Sequence, residues 1–188
     1  MNNRIMSAFI AEIQQNGMKF TMDDLAKRLG ISKRTLYEHF PSKGDILEAI
    51  IDQTFNDINE ITERIIRDDK LTIIEKIRGL ITTLPKHWEL YDLRILEQMK
   101  RYFPEQWAKI DSALKDDWAA LRVLIEQGIR EGEIVDVNVP LVMKMIIDAT
   151  NSTLDQRFYR DNQITVTDAL SSIVDVLLNG LIPRDKKK

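Results

Sequence analysis

Apolar residues return every three or four positions along almost the whole chain, and no run alternates apolar with polar between hairpin-type turns, so the pattern predicts helices and no sheet. Ile5, Phe9 and Ile13 set the register of a first helix from about Asn3 to Gln15, closed by Asn16-Gly17, residues suited to a left-handed cap. A second helix starts at Thr21, whose hydroxyl can accept the Asp24 amide, with Phe20 placed to pack on Leu25; it ends at Leu29-Gly30. The third repeats that design, with Ser32 as cap, Ile31 before it and Leu36 within, and Pro41 stops it by disfavouring helical geometry at Phe40.

A fourth helix runs from the Ser42 cap to about Arg67, and Thr72 with Glu75 forms a capping box for a fifth that ends before Pro85. A shorter sixth spans about Asp92 to Tyr102. Pro104 opens a long seventh that keeps one apolar face through Trp107, Ile110, Leu114, Trp118, Leu121, Ile125 and Ile129 to Gly132. An eighth follows Asn138-Val-Pro140 to about Tyr159, and Thr165 with Asp168 opens a ninth that ends at Pro183, leaving a frayed tail over 184–188. The expected fold class is therefore all-α, with nine helices.

Composition narrows the function. With 188 residues, 44% of them hydrophobic, 7 Gly and 5 Pro, the chain has the make-up of a compact globule. There is no cysteine, so neither a disulfide nor a cysteine-ligated zinc site can form, and two distant histidines, His39 and His87, argue against a metal cluster. Neither a glycine-rich phosphate loop nor a catalytic constellation is present, so an enzyme is not expected and no cofactor is implied. The N-terminus reaches Glu12, Gln14 and Gln15 before any apolar stretch of signal-peptide length, and no segment has the roughly 18 apolar residues of a membrane span. A cytoplasmic protein without membrane attachment is expected.

The net charge of −3 hides a local excess. Between Lys27 and Lys43 stand five cationic residues, Lys27, Arg28, Lys33, Arg34 and Lys43, against the single acid Glu38. This is where the second and third helices meet with the offsets of a helix-turn-helix: Ala26 lets the two approach closely, and Gly30 permits positive φ in the tight turn. On a helical wheel Leu36 and Phe40 point inward, leaving Arg34, Thr35 and Glu38 outward with Lys33, Tyr37 and His39 on the flanks. The forked donors of Arg34 suit guanine O6 and N7; Thr35 can reach phosphate or base edge; Tyr37, His39 and Lys43 can donate to phosphate oxygens. Thr21 and the amides opening the second helix offer a further anion site. Glu38 fits either a cytosine contact or discrimination against wrong sites.

The run from Phe20 to Lys43, above all Ser-Lys-x-Thr-Leu-Tyr-x-His-Phe-x-Ser-Lys over 32–43, resembles the DNA-binding motif of the TetR/AcrR family of bacterial transcriptional regulators. The likeness is dense over about residues 3 to 50; a looser one covers Ile125-Glu-Gln-Gly-Ile-Arg-Glu-Gly-Glu-Ile134. It implies a TetR-like, nine-helix architecture in which residues 1–48 bind DNA and 49–188 bind an effector and dimerise, with the fourth helix as lever. It also implies that Thr35, Tyr37, His39 and Lys43 contact the DNA backbone and that Lys33 and Arg34 choose the operator. Thr21 and Ser32 complete the expected DNA-binding set. One departure is the pair Asp23 and Asp24, which stands where some members place a basic residue.

One short helix reads too few base pairs, so a homodimer on a palindromic operator is expected; the resemblance implies a repressor released from it by a small-molecule effector. Met145, Ala149, Ser152, Ala169, Ile173 and Leu177, on the broad apolar faces of the last two helices, are the candidate dimer seam; the same stripes could instead face the chain's own core. His87, Trp88, Met99, Phe103, Trp107, Trp118 and Phe158 are candidates to line an effector pocket, although rings at helical spacing also serve as plain core. The rival reading is a helical adaptor that works through protein contacts without DNA, and it predicts disrupted phosphate-contacting positions, which this sequence does not show.

Overall fold

A computed structural model describes residues 1–116 and 118–181, the side chains at positions 89 and 116 apart. They form eleven α-helices: α1 Asn2–Asn16, α2 Met22–Leu29, α3 Lys33–His39, α4 Lys43–Arg67, α5 Ile73–Thr82, α6 Leu93–Tyr102, α7 Pro104–Asp116, α8 Ala119–Arg130, α9 Val139–Asn151, α10 Gln156–Asp161 and α11 Val166–Leu181. Short 3₁₀ turns cover Gly17–Lys19, Trp88–Tyr91 and Ser152–Leu154, and no strand occurs among the described residues. The stop expected at Pro183 and the tail 184–188 lie outside the described residues.

All nine expected helices are present, and two of them are each divided in two. The expected seventh is α7, which ends at Asp116, and α8, which starts at Ala119. The sequence places two adjacent carboxylates at 116 and 117, and these oppose a helix dipole at its C-terminus, which disfavours carrying the helix through them. The expected eighth is α9 and α10. Its break falls on Thr150-Asn-Ser-Thr153, where Ser152 Oγ donates to the Ala149 carbonyl at 2.6 Å and Thr153 Oγ1 to that of Thr150 at 2.7 Å. Such hydroxyls compete with the helix ladder, and Asp155 then caps a new start by accepting the Phe158 amide at 3.2 Å.

The chain forms two compact units, crossing between them more than once. One contains Met1–Asp57 with Pro85–Asp111, the other Ile58–Leu84 with Ser112 onward. In the first unit Ile5, Phe9, Ile13, Leu25, Leu36, Ile46, Leu47 and Ile50 are fully buried together with Met99 and Ile110. Phe9 and Phe20 meet edge to face at 5.1 Å. Lys109 of α7 pairs with Glu48 and, at 3.3 Å, Asp52 of α4. Gln98 of α6 accepts the Met18 amide at 2.7 Å. In the second unit Ile77 and Ile81 of α5, Leu121, Leu124 and Ile125 of α8, Val142, Met143 and Ile146 of α9, and Val174, Leu178 and Leu181 of α11 form the core.

Candidate nucleic-acid interface

Local chemistry sets the position of α3. Thr21 Oγ1 accepts the Asp24 amide at 3.2 Å while the Asp24 carboxylate takes the Thr21 amide at 2.9 Å, a complete capping box at the start of α2. Gly30 ends α2 in the left-handed region (φ 66°, ψ 34°), with its amide on the Lys27 carbonyl and that of Ile31 on the Ala26 carbonyl, both at 3.1 Å. Only a residue without Cβ takes that turn at no steric cost. Ser32 Oγ then accepts the Thr35 amide at 3.0 Å and starts α3; Phe40, extended before Pro41, ends it. Ser42 begins α4 the same way, accepting the Asp45 amide at 3.2 Å.

With Leu36 and Phe40 buried, the rest of α3 faces outward. Arg34, Tyr37, Glu38 and His39 are exposed and Thr35 is half-buried. Four of its polar side chains are already engaged locally. Lys33 pairs with Asp23 across the turn, which places one of the two acids that depart from the family pattern. The Thr35 hydroxyl lies 2.8 Å from that of Ser32, and Arg34 Nε donates to Glu38 at 3.0 Å. Among the described residues, Tyr37 and His39 make no hydrogen bond through their side chains.

Two expected phosphate contacts sit in unexpected surroundings. Lys43 is half-buried: its ammonium donates to the Met18 and Phe20 carbonyls at 2.8 and 2.6 Å and lies 3.9 Å from the Phe20 ring centroid. Burial lowers its pKa, partly offset by Asp24. One ammonium proton remains for another acceptor. At Thr21 the start of α2 already holds an anion, since Asp24 takes both the Thr21 amide and hydroxyl, and those hydrogen bonds hold its carboxyl below the usual range. Arg28 is turned toward α1: it donates to buried Glu12 at 2.6 Å and to Gln15, fastening α2 to α1.

The candidate pocket residues fall into both compact units. His87, Trp88, Met99, Phe103 and Trp107 belong to the first, Trp118 and Phe158 to the second. Met99 is fully buried core; Trp88 stacks parallel on Tyr91 at 6.4 Å, and Trp107 lies 6.0 Å from the Lys100 ammonium. His87 has positive φ (60°) and precedes the 3₁₀ turn, while Phe103 ends α6 with its amide on the Met99 carbonyl. Trp118 packs on the core of the second unit, whereas Phe158 is exposed against Tyr159.

The seam candidates divide as well. Ala169 is buried and Leu177 packs on the core of its own chain; Ala149 and Ile173 are half-buried; Ser152 is exposed in the 3₁₀ turn. Met145 faces outward, as do Leu141 one turn earlier on α9 and Val176 on α11. Leu141 and Val176 are not among the seam candidates, because an apolar residue at helical spacing reads as core. Their signal is an apolar stripe wider than one buried face requires.

Comparison with known proteins places this geometry. Residues 5–50 match the family model described as bacterial regulatory proteins, tetR family. The chain is 34% identical to the uncharacterized HTH-type transcriptional regulator YvaF of Bacillus subtilis, covering 96% of this chain and 95% of that protein. The crystal structure of the TetR family regulator PfmR from Thermus thermophilus superposes with a TM-score of 0.75 at 22% identity, covering 94% and 97% of the two chains. That of the regulator FadR from Bacillus subtilis in complex with stearoyl-CoA gives 0.69 at 25% identity, over 96% and 99%.

Proposed function

Because this chain belongs to the tetR family of bacterial regulatory proteins and is a DNA-binding transcriptional regulator, we propose that its α3 reads a palindromic operator as a repressor and that an effector releases it. The carrying observation is α3 itself: Leu36 is 0% exposed and moors the helix, while Arg34, Tyr37 and His39 are left to the outside. Tyr37, His39 and the remaining proton of Lys43 hold phosphates, joined by Thr21 and the Ser32–Thr35 hydroxyl pair; Arg34 reads bases, with Lys33 beside it. Residues 1–48 serve DNA binding, and 49–188 serve effector binding and dimerisation.

Two copies join through the outer faces of α9 and α11, so that two α3 helices reach successive major grooves about one helical turn or a multiple of it apart. The protein works in the cytoplasm, where its DNA is, and by binding rather than turnover; no described helix is long and apolar enough to cross a membrane. The effector shifts a two-state equilibrium in proportion to its differential affinity. A long-chain acyl-CoA is the first class to test, on the strength of the stearoyl-CoA complex of FadR.

Selection of duplexes from a random pool should return a palindrome bound in a salt-sensitive manner. On it Tyr37→Ala weakens every sequence alike, and Arg34→Ala relaxes preference at one base pair per half-site, by about 1 to 3 kcal/mol. Stearoyl-CoA should lower occupancy. A protein with no salt-sensitive duplex binding would instead be the helical adaptor.

A further inference from the structure

Two neighbours of Arg34 at the start of α3 are committed elsewhere: Lys33 to Asp23 across the turn, and the Thr35 hydroxyl to Ser32. Arg34 is also paired, but differently. Glu38, one turn further along α3, accepts the Nε–H of Arg34 at 3.0 Å, and both side chains stay open to solvent at 89% and 60% exposure. An exposed pair at this spacing stabilises a helix little. Its geometric effect is larger. A guanidinium has two edges that can clamp a base, one using Nε with one terminal nitrogen and one using both terminal nitrogens. With Nε occupied, only the end-on edge is free. A lone carboxylate on a face meant for DNA would repel phosphates; set against Arg34 it is neutralised and becomes a brace.

We propose that Glu38 is a positioning residue for base readout, holding Nε of Arg34 so that its two terminal amino groups meet guanine O6 and N7 end-on. This inference rests on the reading of α3 as the recognition helix and adds a specificity role for its one acid. The fork arrives with one torsional arrangement already favoured, so less freedom is lost on binding.

Duplex selection and binding to single-base operator variants should be run with the wild-type dimer and with Glu38→Gln, Glu38→Ala, Arg34→Ala and the Arg34→Ala, Glu38→Ala double variant. Glu38→Ala should lower guanine discrimination at the Arg34 base pair by about three- to tenfold, part of what a bidentate contact supplies, without moving other positions or the melting midpoint. Glu38→Gln, which keeps an acceptor oxygen, should retain most of it. In the Arg34→Ala background, removing Glu38 should change no base preference. The inference is overturned if Glu38→Ala alters a base preference equally with and without Arg34, the mark of a direct cytosine contact. It is also overturned if Glu38→Ala tightens all sequences uniformly, which is charge repulsion alone. A wild-type protein that selects no palindrome would instead sink the regulator reading beneath it.

Discussion

The outer face of α3 and the outer faces of α9 and α11 are both left open by the folded chain, and only the second exposes large aliphatic side chains. On α3 the open groups are Lys33, Arg34, Tyr37, Glu38 and His39, all polar or amphipathic. On α9 and α11 the open groups include the apolar Leu141, Met145 and Val176, at 58%, 51% and 74% exposure, with the Lys144–Asp148 ion pair, Ser172, Asp175 and Asn179 open among them. A charged face is well solvated and can wait in water for a charged partner. An apolar face forgoes roughly 25 cal/mol for every Å² left wet, so it gains by being covered at all times. The contrast predicts reversible association at α3, tuned steeply by salt, and more lasting association at α9 and α11, less sensitive to it.

The comparison breaks most directly if the body face is rewritten in the material of the head. Met145→Glu with Val176→Glu places like charges on a self-complementary surface, where each meets its own image or an apolar neighbour. Association should weaken by about 4 kcal/mol or more, read as a monomer in sedimentation, with α-helix content kept. Operator binding should fall with it, because each half-site is then bound alone. Dimers persisting at micromolar protein would show that the seam lies elsewhere.

Next in size is the mooring of α3. Leu36→Ala removes a side chain with no exposure from the first unit and should cost about 3 kcal/mol in denaturant unfolding. Operator binding should drop while the dimer stays intact, because the α9 and α11 faces belong to the other unit. Loss of both at once would mean the two regions do not answer separately.

Legibility in the sequence follows the same divide. The caps at Thr21, Ser32, Ser42, Thr72, Asp92 and Thr165 are readable because each is a contact within three residues, and so is the left-handed turn at Gly30. The Arg34 and Glu38 pair is legible from its spacing, unlike the Lys33 and Asp23 pair, which needs the turn to be folded. The breaks after Asp116 and at Ser152 escaped because the apolar period continues across them; the hydroxyl cluster 150–153 and the Asp155 cap were the available signals. Nor can spacing separate Met99, which is core, from Met145, which is open: both are apolar residues at helical intervals.

The smallest effect comes from one device used in both units. Asp24 at the start of α2 and Glu75 at the start of α5 close the same capping box. Asp24 is held down by the Thr21 hydroxyl and amide, Glu75 by the Thr72 amide and hydroxyl, so both carboxyls titrate below their ordinary values. With the folded pKa below the unfolded one, each box contributes fully above the unfolded value of about 4, and the contribution is lost as pH falls through the folded pKa. Asp24→Asn and Glu75→Gln should each flatten the acid limb of stability against pH and leave the neutral limb nearly parallel to wild type. Their effects on DNA should differ. Asp24 occupies the helix start beside Thr21, where a phosphate is proposed to bind, so Asp24→Asn should tighten operator binding by about two- to fivefold at low salt. Glu75 lies in the other unit, and Glu75→Gln should leave operator binding unchanged. Equal responses in an anisotropy titration would remove Thr21 from the phosphate-contacting set.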